Sequence, residues 1–398
     1  MTGTKAANPT PFIAHRRLMI AAGVAMVLFA AITAVPSVCL PQWGDTFRLN
    51  FSQRGELSSL RQAALIAALL LCGHFADRYG KRYFLVVGTA IMGLSFAATA
   101  AAGGFSTLLI AQAISGVGAG SMEALVNPLI AELNPRDPGR PLNMINGLFS
   151  VGLVLASLAT GELIEAGHSW QLTSWIWLPV AVVGTLLFAG RGYPTPDTPH
   201  HERAGQWREF LKMPAFWLLF VAMIIGGGAE AGMTVWGPNF VEHELGASAR
   251  MGAGTLCLFG AFMAIGRFSS GALLSRVAAI PLMMVCAAAY AVASTGLYFA
   301  GGLWVAWALF ALGGLFVGCF WPTLLSVASD KIAAGSATLF ALLAAAGIGG
   351  CMVLPWGIGV LGDVFGGLRV GMCILPVAML LMLPTLAMLQ RITSKPAD

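Results

Sequence analysis

Two carboxyl groups lie in stretches that offer them very little polar company. Glu123 sits within GVGAGSMEALVNPLIAEL, and Glu230 within IIGGGAEAGMTVWGPNF. A carboxylate is costly to hold in apolar surroundings, so either group suits taking up and releasing a proton as its environment changes. On a helix, Asn127 falls one turn after Glu123 on the same face, and Thr234 stands in the same relation to Glu230. The competing reading is a hydrogen-bonded carboxyl that only ties helices together. Nothing nearby points to bond-breaking chemistry. The seven cysteines (39, 72, 257, 286, 319, 351 and 373) lie in or beside apolar runs without metal-like spacing. No enzyme activity, metal site or cofactor is expected. The string Gly116-Val-Gly118-Ala-Gly120 lies inside an apolar helix and not after a strand, so a nucleotide-binding reading fails on context.

The elements that must position these acids are membrane helices. The chain is 58% hydrophobic and 10% charged, against about 25% charged in soluble proteins. Apolar runs of about 20 residues, the length needed to span a bilayer, occur near 18–40, 57–76, 83–102, 106–130, 141–164 and 170–190, then near 214–241, 250–272, 279–300, 303–328, 336–361 and 368–390. The fold expected is an all-α integral membrane protein of twelve transmembrane helices in two pseudo-symmetric six-helix bundles. The bundles are residues 1–190 and 214–398, joined by a cytoplasmic linker, 191–213, with prolines at 194, 196 and 199 and a short surface helix between Glu202 and Leu211.

Basic residues set the orientation. With both termini in the cytoplasm, 16 Lys and Arg fall on that side and five, including Arg54 and Arg61, on the other, while Arg267 lies within a helix. The polar, then basic, N-terminal stretch reads as a retained cytoplasmic end and not a cleaved signal. The bases are scattered through short loops, so the net charge of +5 is no nucleic-acid signature. The expected partners are a small solute, protons and the lipid bilayer, with the chain acting as a monomer. An internal repeat agrees with two bundles: Gly73-His-Phe-Ala-Asp77-Arg78 has a worn counterpart in Gly271-Ala-Leu-Leu-Ser275-Arg276. Gly118, Gly120 and Asn127-Pro128 answer to Gly314, Gly318 and Trp321-Pro322.

Between the second and third apolar runs stands GHFADRYGKR. Gly73, Asp77, Arg78, Gly80, Lys81 and Arg82 resemble the loop signature of the major facilitator superfamily, which implies the major facilitator fold and a conformational gating role for these six residues. Further motifs resemble the fucose permease type of sugar–proton symporter: Glu123-Ala-Leu-Val-Asn127-Pro128, then Arg140-Pro-Leu142-Asn143, Leu40-Pro41-Gln42, Gly228-Ala-Glu230, Trp236, Gly266-Arg267 and Pro322-Thr323. The resemblance implies Glu123 as the proton-coupling carboxylate, with Asn127, Asn143 and Asn146 as polar groups in or beside a central cavity. Two departures stand out. Ser37 occupies the place of an Asp, leaving Glu230 as the second coupling acid, and Gln112 stands where many facilitators keep an Arg.

Trp236, Trp321 and Trp356 fall at breaks in apolar runs and could stack on a sugar's C–H face, while Trp170, Trp175 and Trp177 read as an interfacial belt. Because Arg267 was the single base placed within a helix, a neutral sugar or related polyol is expected over an anion. The function expected is secondary transport of that solute with protons across the cytoplasmic (inner) membrane. The alternatives are a proton-driven exporter of amphipathic compounds and a non-transporting sensor. Among the other charges, Glu162 and Glu165 read as acids at the outer end of the fifth span, and Asp363 with Arg369 as lining the loop before the twelfth.

Overall fold

The computed structural model describes residues 12–135, 139–194, 206–332 and 337–393. Among the described residues, twelve helical segments are long and apolar enough to cross a membrane: α1 (Phe12–Phe47), α2 (Phe51–Cys72), α3 (Lys81–Ala100), α4 (Phe105–Leu133), α5 (Gly147–Glu165), α6 (Trp170–Ala189), α7 (Pro214–Leu245), α8 (Ala249–Leu273), α9 (Ala279–Tyr298), α10 (Leu303–Lys331), α11 (Thr338–Phe365) and α12 (Leu368–Thr393). The chain is a multi-pass membrane protein. The expected surface helix is present as the single turn Gln206–Phe210.

Contacts divide the chain into two compact units. The first comprises Met1–Thr33, Ala64–Ala156 and Gln171–His201, and the second Ala34–Ala63, Ser157–Trp170 and Glu202–Asp398. The second unit thus draws on α1, α2 and α5 as well as on α7–α12.

Within each unit, helices approach through glycine, as expected where lipid gives little drive for helix association and close packing must supply it. In the first unit a methyl on Gly120 would overlap the Leu65 carbonyl oxygen of α2. In the second a methyl on Gly314 would overlap the Phe259 carbonyl of α8. Gly120 to Gly314 and Leu65 to Phe259 are both steps of 194 residues, the offset that separates Pro128 from Pro322. The sequence repeat is therefore also a repeat of packing. The belt reading fails for two tryptophans. Trp170 and Trp177 are buried, the first edge-on to Trp43 with ring centroids 6.1 Å apart and the second stacked on Phe96. Trp175 is exposed.

The start of α2 shows how the polar residues around position 50 are used. Helix begins at Phe51, six residues before the expected boundary. Asn50 and Gln53 cap one another, with Gln53 N–H donating to Asn50 Oδ1 at 2.8 Å and Asn50 N–H to Gln53 Oε1 at 3.1 Å. Phe51 and Ser52 donate their N–H groups to Asp363 at 2.9 and 2.7 Å. The donors that a helix leaves unmade in its first turn are thereby satisfied.

Candidate functional site

In the first unit Glu123 is half-buried on α4, one turn from half-buried Asn127. The helix is held close to α2 through Gly120 and to α3 through Gly118, where a methyl would lie 2.8 Å from the Met92 nitrogen. Asn143 and Asn146 belong to the helix Gly139–Glu165, but their side chains lie outside the described residues, as do those of Asp77 and Arg78 and the surroundings of Gly73. The rest of the loop signature is described. Gly80 has φ of 87°, a left-handed turn that glycine takes without strain. Lys81 pairs with Glu132 near the end of α4. Arg82 donates Nε to the Ala189 carbonyl at 3.1 Å, placing a cation at the last turn of α6 where the helix dipole favours one.

The second acid lies in the second unit, in a denser network. α7 and α11 cross through glycines on both sides: methyls on Gly227 and Gly350 would overlap the Gly347 and Ile224 carbonyl oxygens. This close approach lets Cys351 donate its thiol to the Gly227 carbonyl at 3.2 Å. One turn on, Glu230 receives Arg267 of α8: Nη2 donates to both carboxylate oxygens at 3.2 Å. The pair is partly open, with side chains 23% and 35% exposed. Tyr290 of α9 donates to the Ala229 carbonyl at 2.9 Å, and Thr234 to the Glu230 carbonyl at 2.8 Å. Arg267, which the sequence shows as the single base within a helix, is the ion-pair partner of Glu230.

The three tryptophans have different settings. Trp236 is fully buried, donates Nε1–H to the Pro355 carbonyl at 2.8 Å and meets the Phe51 ring edge-on at 6.0 Å. Trp321 is half-buried, its ring 2.5 Å from where a methyl on Gly347 would stand. Trp356 is 45% exposed, and its backbone packs on Gly55 of α2.

Two functional features went unread in the sequence. Arg61, assigned to a loop-side charge count, lies within α2 and is 4% exposed. A base is therefore buried inside a second span, and the argument for an uncharged solute loses its ground. Asp363, read as a loop charge beside Arg369, instead caps α2, while Arg369 donates Nε to Glu244 at 3.1 Å. The partners are some 310 and 125 residues apart, beyond the reach of local pattern. Other long-range contacts accompany them in the second unit. Ser59 donates to the Met352 carbonyl at 2.6 Å, Gln42 to Glu242 at 3.1 Å, and Arg250 to Glu162 at 2.6 Å.

A bundle of apolar spans with ionisable groups held inside them is the architecture of a membrane transporter. Residues 18–353 match the Major Facilitator Superfamily, and the chain belongs to that family. Among curated relatives, it is 30% identical over 167 residues to the 3-(3-hydroxy-phenyl)propionate transporter of Escherichia coli (strain K12), covering 38% of this chain and 40% of that protein. It is 27% identical over 183 residues to the multidrug resistance protein MdtL of Klebsiella pneumoniae (strain 342), covering 44% and 46%. To the arabinose-proton symporter of Bacillus subtilis (strain 168) it is 26% identical over 198 residues, covering 48% and 43%. The matches thus extend over less than half of each of these relatives. Among solved structures, a bacterial homolog of the human lysosomal transporter Spinster, inward-facing and unoccupied, superposes with a TM-score of 0.79 at 18% identity, covering 98% of this chain and all of that one. That likeness concerns the fold.

Proposed function

We propose that this chain is a secondary active transporter that moves a small hydroxylated solute, a sugar or a related compound, together with protons across the cytoplasmic membrane. Both termini lie in the cytoplasm, and the chain works as a monomer. The observation that carries the reading is the presence of carboxyl groups inside spans of a Major Facilitator Superfamily chain: Glu123 on α4 and Glu230 on α7. An ionisable group at such depth costs several kcal/mol in a bilayer and persists where it is used. Glu123 is the first coupling group and Glu230 the second. Asn127, Asn143, Asn146, Trp236, Trp321 and Trp356 serve the solute. Residues 1–190 and 214–398 form two six-helix bundles that expose the site to each side in turn, with Gly73, Asp77, Arg78, Gly80, Lys81 and Arg82 governing the exchange. The arabinose-proton symporter among the relatives supports sugar and proton together.

The test is accumulation in proteoliposomes under an imposed inward proton gradient. Glu123→Gln mimics the protonated acid. It should abolish gradient-driven accumulation while solute-for-solute exchange persists in part, and Glu123→Ala should lose both. Wild-type accumulation by Glu123→Gln would remove it as the coupling site. The similarity to MdtL favours a second reading, a proton-driven exporter of amphipathic compounds. Inverted vesicles that take up a lipophilic cation against its gradient, and no sugar, would select it.

A further inference from the structure

The end of α6, in the first unit, gathers arginines from three parts of the chain. Arg17 of α1 donates Nη2 to the Arg191 carbonyl at 2.6 Å, and its guanidinium lies where a methyl on Gly190 would stand. Arg82 of α3 donates Nε to the Ala189 carbonyl at 3.1 Å. The Tyr193 hydroxyl, within electrostatic reach of both guanidiniums, donates to the Phe188 carbonyl at 2.8 Å. The two guanidiniums thus hold neighbouring residues of one turn and stand within about 10 Å of each other, with Arg191 exposed beside them. Like charges so close repel. Among the described residues no carboxylate is ion-paired with any of the three. Their donors are not used up either. Arg17 Nε is buried without a partner, and Arg82 turns Nε and Nη2 to the same oxygen, leaving its Nη1 uncommitted.

We propose that Arg17, Arg82 and Arg191 form a binding site for the headgroup of an anionic phospholipid. The phosphodiester supplies what the cluster lacks, a negative charge with oxygens that guanidinium forks match. What lies next to the cluster selects a lipid over a soluble phosphate. Ile20 stands one turn deeper in α1 than Arg17, Tyr83 follows Arg82 in α3, and Leu186 stands one turn before Gly190 in α6. All three are exposed. Each helix therefore shows an apolar side chain to the bilayer close to the cation at its end, so that headgroup and acyl chains meet matching surfaces. Basic pockets between membrane helices at the interface bind anionic lipid in this way. The arginines are also fixed before a lipid arrives: the carbonyls of Ala189 and Arg191, at the end of α6, hold Arg82 and Arg17 in place, which lowers the cost of ordering long side chains on binding.

The test is native mass spectrometry of the full chain, delipidated in detergent and titrated with dioleoyl phosphatidylglycerol or dioleoyl phosphatidylcholine. Phosphatidylglycerol should bind at least about tenfold more tightly than phosphatidylcholine, whose ammonium group offsets its phosphate. Arg17→Gln/Arg82→Gln should weaken phosphatidylglycerol binding by about tenfold to a hundredfold, the loss expected for charge-assisted hydrogen bonds. Arg191→Gln keeps the backbone carbonyl that Arg17 holds and should weaken it less. Arg276→Gln removes the same charge from an exposed position after α8 and should leave binding unchanged. Glycerol 3-phosphate, which has the phosphate and no acyl chains, should fail to displace the lipid. If the double variant does not fold, Arg191→Gln and the comparison of headgroups on the unmodified protein decide the matter. Equal binding of the two lipids would overturn the inference. So would wild-type affinity in a folded Arg17→Gln/Arg82→Gln protein, or equal losses in Arg191→Gln and Arg276→Gln, which would mark a response to overall charge. Displacement by glycerol 3-phosphate would overturn it too, in favour of a site for soluble phosphate. None of these outcomes bears on the transport reading, since no solute enters the measurement.

Discussion

The carboxylate of Asp363, at the end of α11, caps the first turn of α2 through Ser52: it accepts the Ser52 N–H at 2.7 Å and the Ser52 hydroxyl at 2.5 Å, and takes the Phe51 N–H at 2.9 Å as well. An anion at a helix N-terminus gains from the dipole as well as from the individual bonds. Asp363→Ala should destabilise the folded protein by about 1–2 kcal/mol, the range for a lost N-cap. Asp363→Asn should fall between it and wild type, and Ser52→Ala, which keeps both backbone bonds, should cost less. Thermal unfolding of the purified protein in detergent ranks the three. An unchanged melting temperature for Asp363→Ala would show that water replaces the cap without loss.

The repeated glycine contacts give a paired prediction. Gly120→Ala and Gly314→Ala each push a methyl into a backbone carbonyl of the neighbouring helix, where no flexible side chain can yield. Each should cost about 1–3 kcal/mol, as overpacking does. Gly147→Ala meets nothing within 4 Å and should be neutral or slightly stabilising, because alanine loses less freedom in a helix than glycine. Melting temperatures and membrane yields of the three variants check this, and equal behaviour of Gly147→Ala and Gly314→Ala would count against it.

Trp236 separates packing from solute contact. Trp236→Phe keeps most of the buried ring but loses the bond to the Pro355 carbonyl, at a cost of about 0.5–1.5 kcal/mol. Trp236→Ala opens a cavity and should cost about 3–5 kcal/mol. If the indole also stacks on solute, equilibrium binding should weaken in the same order in protein that remains folded. Binding that is unchanged in both folded variants would assign Trp236 to packing alone.

The legibility of this molecule in its sequence divides by range of interaction. Membrane spans are a property of length and composition, so all twelve could be read from runs of apolar residues. Glu123 and Glu230 stood out because an acid in such a run has no local excuse. Arg61 did not, since NFSQRGELSSLR looks like a polar approach to a helix and not its first three turns. Ser52 and Ser59 in that stretch are satisfied by Asp363 and the Met352 carbonyl, some 300 positions away, and only the folded chain brings them together. Arg267 was hidden as the partner of Glu230 for a like reason, since the two stand on different helices, 37 residues apart. Trp170 and Trp177 were misjudged for a related reason: tryptophan at a helix start suits both an interface and a packed joint, and only Trp43 and Phe96 decide between them.

The Glu230–Arg267 pair allows structure and coupling to be told apart. Glu230→Gln leaves the guanidinium of Arg267 beside an amide, and Arg267→Gln leaves the carboxylate without its counter-charge. With the two side chains 23% and 35% exposed, solvent softens either loss to about 1–2 kcal/mol, below that of a fully buried pair. In Glu230→Gln/Arg267→Gln two amides can bond to one another, so most of the lost stability should return. Coupling should not return, because no proton can be taken up or released at position 230. The double variant is therefore expected to melt near wild type, to retain solute-for-solute exchange in part, and to fail to concentrate solute under a proton gradient. If it regains both the melting temperature and gradient-driven accumulation, the pair is a clamp between α7 and α8, and proton coupling rests on Glu123.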